Sequence, residues 1–292
     1  MKKVLQLLSL IIVAFVIHSC RDSDPATVYG WDDPEDISGP RIIKRVHSDN
    51  KTLESYQLNG SSLFKVERFV YDGSATEENQ TVYVFYLGNR ISKIEVTGTY
   101  TGSAVGGRHV LTPNYDNATG TMVSLMDDFY ASGSVHTFHS ISVFQYDAEG
   151  RIIQSFKKTA PVNPATPNVY VYGNTVMNLI THDGPNVTKI QSSDNIVNPT
   201  TGVVQSSVQH TYTYDNYDWR NNPYKRVSDN YLIMMSSLFP QMYSYMSDNN
   251  PAKLTVKKDA DPAVVTQYQY KFDTHNYPTT DGFRNFSYQP AP

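Results

Sequence analysis

Thr81-Val82-Tyr83-Val84-Phe85-Tyr86, then Gly88-Asn89, then Arg90-Ile91-Ser92-Lys93-Ile94-Glu95-Val96 decides the fold class. Apolar and polar or aromatic residues alternate with a period of two on both arms, the signature of a half-buried strand. Gly-Asn between the arms supplies the positive φ that a tight hairpin turn needs. The design recurs at Ile141–Tyr146, Asp147-Ala148-Glu149-Gly150 and Arg151–Phe156. It recurs again at Val169–Tyr172, Gly173-Asn174 and Thr175–Ile180, with later strands expected over His210–Tyr214, Ala252–Lys257 and Val264–Phe272. Consecutive hairpins without long helical crossovers exclude a parallel α/β fold. The expectation is all-β: an antiparallel meander of about ten to fourteen strands, forming a curled sheet or barrel that hides its edges.

One stretch breaks this rhythm. Over residues 229–247, Leu232, Met235, Phe239, Met242 and Met246 recur at helical spacing after Ser228-Asp229, a reasonable cap. Pro240 should divide the run, because it has no amide hydrogen to continue the ladder. This predicts one or two short helices packed on the sheet or across a barrel mouth.

The first forty residues give an address. Lys2 and Lys3 precede an apolar run from Val4 to Ile17, too short to span a bilayer comfortably, and the run closes on Ser19-Cys20. This resembles a bacterial lipoprotein signal, which implies cleavage after residue 19 and lipidation of Cys20. Cys20 is the sole cysteine of 292 residues, so intramolecular disulfides and cysteine metal sites are excluded. Residues 20–40 are acidic, Pro-containing and non-periodic, the composition of a flexible tether. Acidic residues at this place resemble the surface-export signal of Bacteroidetes lipoproteins. The localisation expected is therefore the outer membrane, lipid-anchored and facing the cell surface, with residues 41–292 as a single β-barrel-like domain.

Composition narrows the function. Cleavage would leave 273 residues and, with Lys2 and Lys3 gone, take the formal charge from −4 to −6. A mildly acidic chain without a basic run argues against nucleic acid as a partner. The 22 tyrosines against 2 tryptophans lean toward pleated surfaces.

The order Tyr212-Thr213-Tyr214-Asp215, Asn221-Asn222-Pro223-Tyr224, Asn249-Asn250-Pro251, Tyr268–Asp273 and Tyr277-Pro278-Thr279 carries a family resemblance. It resembles a group of Bacteroidetes lipoproteins of unknown function described as having a porin-like fold. The hairpin units are also similar to the tyrosine-aspartate repeats of secreted shell proteins. The resemblance implies an antiparallel barrel-like sheet and no particular activity.

Three polar constellations have residue types that could carry chemistry. His136-x-x-His139 has the look of a metal pair, but residues three apart on a strand point to opposite faces, so a shared ion would need a bulge. Asp215-x-x-Asp218-x-x-Asn221-Asn222 offers oxygen ligands without the glycine and glutamate of a calcium loop, and turn chemistry accounts for it. Asp127-Asp128 could be half of a glycosidase pair, but a solvated loop or strand end is the plainer reading. No nucleophile elbow, His-Glu-x-x-His motif or phosphate loop occurs. No cofactor, metal or catalytic residue is expected. The groups Tyr83 with Phe85, Tyr170 with Tyr172, Tyr212 with Tyr214, and Tyr268 with Tyr270 and Phe272 each place rings on one sheet face. They are either cross-strand ladders or an aromatic wall for a glycan or lipid. The expectation is a non-enzymatic envelope lipoprotein that binds such a ligand or an envelope protein. An assembly component is the alternative, and a glycan hydrolase a more distant one.

Overall fold

The computed structural model describes residues 37, 39–49, 51–70, 78–98, 106–131 and 134–291. The signal segment, Cys20 and residues 20–36 of the tether lie outside the described residues.

The described strands follow one another as antiparallel neighbours. They begin with β1 (Arg41–Ser48), β2 (Lys51–Asn59), β3 (Ser62–Val70), β4 (Glu78–Leu87) and β5 (Arg90–Gly98). Next come β6 (Gly107–Tyr115), β7 (Met122–Ala131), β8 (Val135–Tyr146) and β9 (Ile152–Pro161). The second half holds β10 (Asn174–Asp183), β11 (Asn186–Val197), β12 (Val204–Tyr217), β13 (Pro251–Lys258) and β14 (Val264–Gln267). Short strands β15 (Lys271–Phe272), β16 (Pro278–Thr280) and β17 (Asn285–Pro290) complete it. The 17 segments form one sheet that curls until β17 pairs with β1, Arg41 opposite Pro290. The ladder is broken between β14 and β15, successive parts of the extended stretch 264–272. There the Tyr268 amide donates to the Ala252 carbonyl and the Gln269 amide to the Asp281 carbonyl, at 2.9 Å each. The strand count exceeds the ten to fourteen expected because of this division and the short C-terminal segments.

Two of the three expected hairpins form as read. Gly88 sits at φ 61° in the β4–β5 turn, where a side chain would be strained. The third does not form. Residues 169–173 are not strand, and Asn174 instead opens β10, which pairs with β9. Pro161, Pro164 and Pro167 remove amide donors along this stretch, and between Val162 and Gly173, whose amides still donate to the Thr137 and Thr159 carbonyls, the chain leaves the sheet as one long connection.

Register shows which side is the inside. Val82 faces Val96, Val84 faces Ile94, and Ile94 faces Leu111, all buried on one face. The helical insertion enters this interior. Helix α1 (Asp229–Ser236) is followed by the 3₁₀ helix Pro240–Met246, and the division falls at Pro240 as expected. Tyr231, Leu232, Ile233, Met234, Met235 and Ser236 are all buried. A helix apolar on every side belongs inside a core rather than on a surface. The insertion therefore packs on the inner face of the sheet as a plug, the first of the two placements expected, and its residues join those of the strands in one contiguous core. Lys157 Nζ lies 3.5 Å from the Ser237 carbonyl, and the Arg68 guanidinium stands 4.5 Å over the Phe239 ring, where the plug ends.

Candidate functional site

Above the plug, the inner face carries polar residues among rings. The same register that buries Leu111 puts it opposite Asp127 on β7, and Asp127 opposite Ser140 on β8. Asp127 is therefore neither in a loop nor at a solvated strand end, as its sequence neighbourhood suggested. Its side chain is 3% exposed. Its Oδ1 lies 2.6 Å from His109 Nδ1 on β6, and its Oδ2 accepts from Lys157 Nζ on β9 at 2.8 Å. Burial alone would raise the Asp127 carboxyl. The charges of Lys157 and His109, with hydrogen bonds from both, hold it well below the usual carboxylate range.

Two rings flank this cluster. Phe129 and Phe138 face each other across β7 and β8 with centroids 6.3 Å apart, and His109 packs on Phe129 at 4.7 Å. A Cβ at position 107 would come within 2.4 Å of the Phe129 ring, so Gly107 makes the room that ring occupies. Ser140 and Thr159 hydroxyls meet at 2.8 Å beside them. Together these side chains line an open pocket of about 240 Å³. Asp127 is the one carboxylate among its lining residues.

Asp128, the next residue, faces outward. Its Oδ1 lies 3.1 Å from His136 Nε2 and 2.7 Å from His139 Nδ1. The two histidines were expected on opposite faces. They share one face because β8 carries an extra residue, with Phe129 opposite Phe138 but Tyr130 opposite His136, so that Thr137 bulges.

The aromatic pairs named from sequence are separated by the fold. Tyr83 and Phe85 lie on the outer face, opposite in parity to buried Val82 and Val84. Tyr83 meets Phe64 edge-on at 6.1 Å, and Lys93 Nζ stands 4.2 Å over Phe85. Tyr170 and Tyr172, in the 162–173 connection, also cover the outer face, Tyr170 stacking on His139 at 3.9 Å and Tyr172 under Lys158. Tyr212 and Tyr214 are on the inner face. Tyr214, Tyr268 and Tyr270 come together with Tyr224, Tyr245 and Arg284 around a space of only about 50 Å³, room for a few waters. Burial raises the hydroxyl pKa of Tyr214 and Tyr270. Asp218 behaves as a turn residue, its carboxylate accepting from the Arg220 and Asn250 amides and the Asn250 side chain. Sequence reading passed over His109, Phe129, Phe138 and Lys157, because each lies on a different strand from its partner.

No family model and no curated protein matches the chain. It is similar to the solved structure of a porin-like protein from Bacteroides vulgatus ATCC 8482. There the identity is 12% and the TM-score 0.44, over 86% of this chain and 100% of that one. It is also similar to a porin-like protein from Bacteroides uniformis ATCC 8492, at 12% identity and TM-score 0.41, over 86% and 97%. A likeness this low does not bear on ligand or activity.

Proposed function

We propose that the chain is a non-enzymatic binding protein, tethered to the outer membrane through lipid on Cys20, whose inner rim pocket takes a small neutral glycan. The observation that carries the reading is the pocket's make-up. The Phe129 and Phe138 rings offer apolar faces to a sugar, and Asp127, Lys157, His109, Ser140 and Thr159 supply polar edges. At about 240 Å³ it is smaller than the roughly 300–1,000 Å³ of drug-sized ligand sites, which favours one or two sugar rings over an acyl chain. Hydrolysis fits less well. Glycosidases need two carboxylates across the scissile bond, one of them able to hold a proton, and Asp127 stands alone there with its pKa depressed.

Titration calorimetry against a panel of neutral oligosaccharides tests this. Phe138 is 39% exposed, so Phe138→Ala should keep the fold and weaken binding by about tenfold or more, roughly 1.4 kcal/mol. Absence of binding across the panel, or binding indifferent to this change, contradicts the assignment.

The address rests on Lys2, Lys3, the apolar run and the Ser19-Cys20 junction. Cys20→Ser should leave the chain unprocessed or release it from the membrane fraction. A processed variant still bound after a carbonate wash would refute the anchor. No helix among the described residues is long and apolar enough to cross a membrane. The outer face of the strands carries ion pairs such as Lys65–Glu67 and Lys93–Glu95, each at 2.7 Å. A spanning barrel would need an apolar band there, so the proposal places the sheet outside the bilayer on its tether.

The assembly reading draws on a different observation. Ile196, Val203 and Val204, at the tip of the β11–β12 hairpin, are each more than half exposed, an apolar spot suited to a protein partner.

A further inference from the structure

The outer face of β7 and β8 holds a second site, independent of the glycan reading. We propose that Asp128, His136 and His139 bind a divalent first-row transition-metal ion, Zn²⁺ foremost.

Geometry brings the three together. In an unbroken strand, His136 and His139 would point to opposite faces. The extra residue Thr137 turns His136 back to the side of His139 and Asp128. The bulge is built into the fold, because its displaced carbonyl accepts the Val162 amide at 2.9 Å. One ligand atom from each of the three side chains lies within 4.8 Å of the others. In a tetrahedral site with bonds of about 2.0–2.1 Å, ligand atoms stand roughly 3.3 Å apart. The present separations of 2.7 and 3.1 Å about Asp128 Oδ1 are close to that spacing, and His136 Nε2 also lies 3.1 Å from the Phe138 carbonyl, a contact the ion would replace.

The rings are also held in place. His139 is 7% exposed at its side chain and stacks on Tyr170 at 3.9 Å and 17°. His136 stacks on Tyr130 at 4.8 Å and 24°. Such packing does for the imidazoles what outer-shell partners do in metal sites, fixing their direction before the ion arrives. Two imidazoles with one carboxylate suit zinc, copper, nickel or iron better than calcium or magnesium, which prefer all-oxygen shells. Three protein ligands leave a position for water or for a donor from a partner. Arg108 lies 4.9 Å over the Tyr130 ring, a neighbouring cation whose repulsion works against a bound ion.

The test uses residues 20–292 expressed without the signal segment and carrying Cys20→Ser, so that no unlipidated thiol competes as a ligand. ZnCl₂ is titrated at pH 7.5 against a chromophoric chelator. One ion per chain should bind, with affinity falling in acid because protons compete for the ligand atoms. Asp128→Asn, which preserves shape, and His139→Ala should each weaken binding by about tenfold or more. His182→Ala, at an imidazole bonded instead to the Ile152 carbonyl, should not. Excess CaCl₂ should not compete. Near-UV circular dichroism confirms that each variant is folded. Failure to bind Zn²⁺ at about 100 μM, or unchanged affinity in both Asp128→Asn and His139→Ala, overturns the proposal.

Discussion

Asp127 and Asp128 are adjacent on β7, carry the same side chain, and live in opposite surroundings. Asp127 points into the curled sheet, is 3% exposed, and has a cation or imidazole on each oxygen. Asp128 points out, is 27% exposed, and shares one oxygen between two histidines. The difference shows how a strand sorts chemistry. Alternation by itself assigns one aspartate to a dry pocket floor and the next to a wet surface, and burial then decides how strongly each charge is held.

The largest expected contrast is in stability. Asp127→Ala leaves Lys157, 15% exposed at its side chain, without its counter-charge beneath the pocket. Removing one partner of a buried pair costs about 3–5 kcal/mol. Asp128→Ala should cost about 1 kcal/mol or less, as a partly exposed pair does. Urea midpoints of the two variants measure the contrast, and equal costs would erase the distinction between the faces.

A smaller effect should appear in acid. The Asp127 carboxyl is depressed on folding, so its contribution is fully present above the unfolded value near 3.9 and is lost as pH falls through the folded value. His47 adds a separate limb. Burial first, and Arg45 second, push its imidazole down to about 4, so its share is present above about pH 6.5 and lost as pH falls toward 4. Thermal unfolding between pH 7 and 2 should therefore show a loss below pH 4 that is reduced in Asp127→Asn. An unchanged acid limb in Asp127→Asn would show that the pair is not held as described.

What was legible in the sequence was local. The hairpins at 81–96 and 141–156 could be read because a turn signal and two alternating arms lie within some fifteen residues. The same cues at 169–180 misled, since three prolines outweighed the alternation of Val169–Tyr172 and sent that segment over the outer face. The helical insertion was visible in its spacing. Its stripe hid the fact that Tyr231, Ile233 and Met234 are buried as well. The Asp127 cluster could not be read, because its partners are 18 and 30 residues away and meet only through sheet register. The bulge at Thr137 has no composition signal, so the one feature that unites His136 with His139 was named as a requirement and could not be located.

The central claim is that the two faces of β7 are separate binding surfaces, and the imidazoles report on both. His109 belongs to the inner pocket, His136 and His139 to the outer cluster, and the chain has 8 histidines in all. Two-dimensional NMR of the imidazole nitrogens, assigned by single substitutions, reads them in one spectrum. Zn²⁺ should move His136 and His139 and leave His109 in place, whereas a saccharide that binds should move His109 and leave the outer pair. If either addition shifts both sets together, or Zn²⁺ perturbs His109 alone, the separation is wrong.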